Sequence, residues 1–134
     1  LVAYAKANPG QLTMGNSGSG GGNHLAALQF EIAAGLDINH IPYGGGALRA
    51  QATLAREIDC SMNVPAEGLA NVASGQMRML AVLSRERMPA FPNVPTALEM
   101  GVDAVNEQAR GIMIHRNAPA GMADKLAEIF KQCV

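Results

Sequence analysis

Six consecutive Gly or Ser residues, 17–22 of the stretch LTMGNSGSGGGNHLAALQFEIAAG, separate an apolar run from an amphipathic one, with Asn23 and His24 at the seam. A second glycine cluster, Tyr43-Gly44-Gly45-Gly46, and a third junction, Asn63-Val64-Pro65, each end an apolar run of their own. Residues of these types suit one kind of chemistry. Without a Cβ, glycine lets backbone N–H groups reach a carboxylate or phosphate oxygen directly. The hydroxyls of Ser17 and Ser19 and the amides of Asn23 and Asn63 add side-chain donors, and the Arg110 guanidinium is the candidate charged partner. Gly18, Gly20, Gly44 and Gly45 supply the close approach. A lone Gly/Ser run is more often a solvated turn; the second cluster at an equivalent place points to an anion cradle made of backbone.

Several familiar motifs are missing. A phosphate-binding P-loop needs a Gly-Lys pair, and none occurs. The dinucleotide fingerprint nearly forms at Gly18 and Gly20 but has Asn23 at its third position. Asp37, about 20 residues on, precedes the second expected strand instead of ending it. No G-x-S-x-G elbow frames Ser17 or Ser19. His24 as a base for either serine is the lesser reading, because a His at a helix start more often caps or orients its loop. His24, His40 and His115 lack metal-ligand spacing. Neither a metal nor a cofactor is expected, and a nucleotide-dependent or hydrolytic α/β enzyme stays the alternative.

Composition narrows the partners. The 134 residues are 49% hydrophobic and 16% charged, the range of one domain with a real core. A net charge of −1 with scattered Lys and Arg gives no basic face for nucleic acid or a membrane surface. No window approaches the run of about 18 apolar residues that a membrane span needs. Cys60 and Cys133 do not make a disulfide framework. The chain opens at Leu1 in helical character and reads as a piece of something longer.

The elements that must position the loops follow from periodicity. Residues 12–14, 39–41, 58–64 and 79–83 read as strands. Residues 24–34 read as a helix with Leu25, Leu28 and Ile32 inward and Gly35 as its stop. Residues 47–56 read as a helix with Leu48, Ala52 and Ala55 inward. A third helix starts at Pro65 and ends at Gly75. A proline-punctuated excursion then holds a short helix at 96–100, a further strand spans ARGIMIH, and a last helix opens near Pro119. This order predicts an α/β fold, a parallel-type sheet with helices on both faces. Every strand-to-helix junction then lies on one sheet edge, the edge where open α/β sheets bind ligands, and each brings the unpaired N–H groups of a helix start.

Several segments, in order, resemble one family: the substrate-binding receptors of tripartite tricarboxylate transporters, also called the Bug family of periplasmic solute receptors. They are ANPGQLTMGNSGSGGGNHLAALQFEIAAGLDINHIPYGGG, GQMRMLAVLSRERMPAFPNVPTALEMG and RGIMIHRNAPAGMADKLAEIF. The resemblance implies one lobe of a type II periplasmic-binding-protein-like fold that closes over a small carboxylate, without catalysis, for membrane transporter subunits. Residues 1–112 would be the ligand-binding lobe and residues 113–134 a segment crossing toward the other lobe. Ser17, Gly18, Ser19, Gly20, Asn23 and His24 match the family's ligand-facing loop, Tyr43, Gly44 and Gly45 its second junction, and Asn63 a third. Two departures stand out. Tyr43 runs straight into the glycines, and Gly22 replaces the small hydroxyl residue usual before the loop His. Apolar surface bared by an absent lobe could also pair two copies of the piece.

Overall fold

The structure, a computed structural model, describes residues 1–108 and 111–132. Its centre is a three-stranded parallel sheet in the order β2-β1-β3, formed by β1 (Thr13–Ser17), β2 (Asn39–Tyr43) and β3 (Cys60–Ser61). Strand alternation sends Met14 to the face where Ala5, Leu12, Ala27 and Ile38 are buried together. A Cβ on Gly15 would meet Ile58 and Tyr43 on the other face. The central strand is thus covered on both sides, as parallel sheets require. Its lower end is tied to β3 by Asp59 Oδ2, which accepts Thr13 N–H at 2.8 Å and Thr13 Oγ1–H at 2.7 Å.

The sheet corrects the expected strand at 58–64, which shrinks to Cys60–Ser61 with one further bond, Met62 N–H to the Gly15 carbonyl at 2.9 Å. Beyond it Asn63 turns its amide to side chains, and Pro65 opens a helix at once. The helices are α1 (Val2–Ala7), α2 (Gly22–Ala34), α3 (Gly46–Leu54), α4 (Pro65–Ala73) and α5 (Met122–Lys131). Gly35 ends α2 in the left-handed region (φ 61°), where Leu36 N–H reaches back to the Glu31 carbonyl at 3.0 Å.

Both expected inward faces are corrected, except at Ala52 of α3, which is buried as expected. In α2 the buried residues are Asn23, Ala26, Ala27 and Ala34, whereas Leu25 is 53% and Ile32 79% exposed. Small side chains let the helix axis approach β1, so the alanine stripe packs inward. The larger Leu25, Leu28 and Ile32 line an open apolar groove with Asp103. In α3 the interior residues are Arg49, Ala50 and Ala52, while Leu48 and Ala55 are exposed.

Two buried clusters share Phe30 and Leu36 at their border: one around Met14 and Ala27, the other around Ala34, Ala97, Val102 and Ala104. The expected strand at 79–83 survives as a single parallel bridge, Val82 to Thr96. Its partner segment contains Pro92 and Pro95, which lack the N–H a longer ladder needs. The helix expected at 96–100 is one capped turn, with Glu99 Oε2 accepting Thr96 N–H and Thr96 Oγ1 accepting Glu99 N–H. No strand forms over residues 111–115, and Met113 is 94% exposed. Among the described residues Ile112 and Ile114 have no neighbouring strand to join, and they flank a small groove against Leu126 and Phe130 of α5.

Candidate functional site

All three junctions, 17–22, 43–46 and 61–65, lie at the carboxyl ends of parallel strands and so share one sheet edge. Ser17 ends β1 opposite Tyr43 of β2. The loop after Ser17 is a built structure. Gly21 N–H closes a turn on the Gly18 carbonyl at 3.0 Å, Gly20 takes φ 80°, and Ser17 Oγ accepts Asn23 N–H at 3.2 Å. A Cβ on Gly21 would lie 2.5 Å from Ser17 Oγ and 2.8 Å from its carbonyl oxygen, so only glycine fits there. Among the described residues, by contrast, nothing lies within 4 Å of a Cβ added to Gly18 or Gly20, or to Gly44 or Gly45 at the second junction. Their backbone borders open space at the edge where α2 and α3 begin, and neither helix has an acidic residue in its first turn.

His24 holds the loop from the helix side. Gly20 N–H donates to His24 Nδ1 at 3.0 Å, which puts the proton of the neutral ring on Nε2. The ring stacks edge-on against His40, with centroids 5.4 Å apart. His40 belongs to a chain of bonds beneath the loop: Asn16 Nδ2 lies 3.1 Å from its Nδ1, and its Nε2 lies 2.9 Å from Glu31 Oε2. Because a carboxylate only accepts, His40 donates through Nε2 and accepts from Asn16 through Nδ1. Glu31 Oε1 accepts Ile38 N–H at 2.8 Å, which ties the end of α2 to the start of β2.

The other two junctions are joined by charge. Arg49, only 1% exposed, donates from Nε to Asn63 Oδ1 at 3.0 Å and from Nη2 to Glu67 Oε2 at 2.6 Å. Asn63 Nδ2 donates to Ser61 Oγ at 2.7 Å, so both ends of its amide are engaged by the protein. Glu67 Oε2 also accepts Val64 N–H at 3.3 Å and caps α4. Asn23 is buried, with Oδ1 3.5 Å from Gln108 Nε2.

The fold therefore brings Ser17, Gly18, Ser19, Gly20, Asn23, His24, Tyr43, Gly44, Gly45 and Asn63 to one edge; Arg110 and Cys133 lie outside the described residues. Asp37, the acid of the near dinucleotide motif, falls at the opposite edge, where its carbonyl accepts Gly10 N–H at 3.1 Å. Sequence reasoning missed Asn16, His40, Glu31, Arg49 and Glu67. Signals existed for some of them: Asn16 is a polar residue inside a buried strand, and Glu67 stands three residues after Val64, the place of a helix-start acid. Cys60 is a free thiol pushed up to about 12, first by burial and then by the neighbouring Asp59 charge. Asp59 is held below the ordinary carboxylate range by the Thr13 hydroxyl and then its N–H. Among the described residues, no group of His, Cys, Asp and Glu could hold a metal ion, and no helix is long and apolar enough to cross a membrane.

Residues 1–134 match the family described as "Tripartite tricarboxylate transporter family receptor". Protein BugT of Bordetella pertussis is 36% identical over 102 residues, 75% of this chain and 31% of BugT. A TctC solute binding protein from Polaromonas, solved with no ligand, is 31% identical with a TM-score of 0.76 over 98% of this chain and 45% of that one. An R. palustris protein solved with adipate is 26% identical, with a TM-score of 0.83 over 95% of this chain and 43% of that one. The chain spans less than half the length of each of these relatives.

Proposed function

The chain belongs to the tripartite tricarboxylate transporter receptor family, and from that premise we propose that it forms one lobe of a periplasmic receptor that captures a small carboxylate for a membrane transporter. Residues 1–112 are the ligand-binding lobe, and residues 113–134 cross toward a second lobe. One observation carries the reading. Three parallel strand ends deliver three helix starts to a single edge, and at Gly18, Gly20, Gly44 and Gly45 the backbone there borders space that no side chain of the described residues fills. Helix-start N–H groups carry partial positive charge, and the start of α2, with no acid in its first turn, favours an anion. The adipate bound by the R. palustris relative supports a carboxylate as that anion.

Binding proceeds by closure. A cradle open on one side leaves the carboxylate hydrated and held weakly, and a second lobe folding over it excludes water and strengthens each hydrogen bond. Ser17 and His24 stiffen the loop, and Ser19 offers a hydroxyl to the ligand. Among the described residues of this edge no nucleophile is paired with a base: Ser17 Oγ accepts Asn23 N–H, and His24 Nδ1 accepts Gly20 N–H. The site binds and releases its ligand unchanged.

The test is thermal unfolding of the full-length receptor against adipate, citrate, malate, glutamate, aspartate, nicotinate and terephthalate, with ATP and NAD as controls. A ligand that binds only the native state stabilises it by about 2.7 kcal/mol at a hundredfold excess over Kd. A rise in midpoint with a carboxylate, abolished when Gly18 and Gly44 are both changed to Asp, is the expected result. Stabilisation by nucleotides alone would overturn the reading.

A further inference from the structure

Two of the three helix starts already hold an anion. Glu67 sits with Oε2 on Val64 N–H at the start of α4, and a Cβ on Gly46, the first residue of α3, would lie 2.7 Å from its Cδ and 2.9 Å from its Oε1. The carboxylate thus lies against the first turns of both helices. Arg49 fixes it there through the 2.6 Å bond to Oε2, and Arg49 is itself locked by Asn63. Since Arg49 is 1% exposed, its charge is spent on this pair and is not offered to solvent. The Glu67 side chain is 34% exposed, and both of its hydrogen bonds among the described residues fall on Oε2. Oε1 keeps its acceptor capacity at the sheet edge. The start of α2 differs: its first turn has no acid, and Gly18 and Gly20 border open space.

We infer that Glu67 is the resident anion of the α3 and α4 starts and the specificity-determining residue of this lobe. It confines the ligand's carboxylate to the 17–22 loop, and it requires the part of the ligand that faces α3 and α4 to be a hydrogen-bond donor or a cation instead of a second carboxylate. This rests on the carboxylate-receptor reading. A dicarboxylate such as the adipate of the R. palustris relative would then be disfavoured by this chain. The physical ground is acceptor capacity: with Arg49 paired to Oε2, the partly exposed Oε1 offers only lone pairs, which a hydroxyl or ammonium group satisfies and a second carboxylate, itself acceptor-only, cannot.

The experiment uses the full-length receptor and calorimetric titration with matched sets: adipate, 6-aminohexanoate and 6-hydroxyhexanoate, and succinate, 4-aminobutyrate and 4-hydroxybutyrate. The amino or hydroxy acid of a set is expected to bind about tenfold or more tighter than its diacid. Glu67→Gln, which keeps an acceptor for Arg49, should erase or reverse that order, and its circular dichroism reports whether it folds. If it does not fold, the wild-type ranking decides alone. A diacid preferred by the wild type, or a ranking unmoved in folded Glu67→Gln, overturns the inference and leaves the receptor reading standing. If no acid of these sets or of the wider carboxylate panel binds, the receptor reading and this inference fall together.

Discussion

Replacing Gly21 by alanine should cost the receptor about 2–4 kcal/mol, while the same change at Gly18, three residues earlier, should be close to neutral. Gly21 lies at an ordinary φ of −68°, so the backbone itself would accept alanine. The obstacle is space. The added methyl would come within 2.5 Å of Ser17 Oγ and 2.8 Å of the Ser17 carbonyl oxygen. The hydroxyl can rotate away only by giving up Asn23 N–H, a bond worth about 1 kcal/mol. The carbonyl belongs to the end of β1 and cannot move without the strand, an overpacking cost of about 1–3 kcal/mol. Gly18 has nothing within 4 Å of an added Cβ, and alanine there restricts the unfolded chain, a gain of up to about 1 kcal/mol. Urea unfolding of the two variants beside the parent reads both numbers from the midpoint at unchanged slope. If Gly21→Ala comes within about 0.5 kcal/mol of the parent, or the two variants are equally costly, the loop is a slack connector and not a fitted cradle.

Other outcomes follow from the same geometry. Asn16→Ala leaves His40 Nδ1 without its donor in a buried setting and should cost about 2–3 kcal/mol by urea unfolding; a loss below about 0.5 kcal/mol would show that water replaces the amide freely. Peptide mapping after iodoacetamide treatment at pH 8 should find Cys60 protected in the native protein and labelled in denaturant, because burial keeps its thiol protonated; equal native labelling would contradict this. Asp59 titrates below its unfolded value, so its stabilising contribution is present above the unfolded pKa and is lost as pH falls through the lower folded one. Thr13→Val removes the hydroxyl chiefly responsible and should flatten the acid limb of stability in that window, whereas an unchanged limb would assign the effect elsewhere.

The sequence by itself determined the layout. Glycine and proline punctuation, together with short apolar runs, placed β1, β2 and the starts of α2 to α4, because turn chemistry and helix starts depend on residues that are neighbours in the chain. The shared edge of the three junctions followed from parallel order alone. What it could not decide was which stripe of a helix faces inward. Side-chain size favoured Leu25 and Ile32, whereas close approach to β1 favoured the alanines, and that choice depends on a strand the helix meets only after folding. The same holds for the reduced strands at 58–64 and 79–83, since a ladder needs a partner's N–H groups as well as its own. The Arg49–Glu67 pair, 18 residues apart, and the Thr13–Asp59 tie, 46 apart, are likewise products of the tertiary structure. Charges are visible in a sequence, but a partner for a buried charge is chosen by distance in space, and the burial that makes the partner necessary exists only once the sheet has formed.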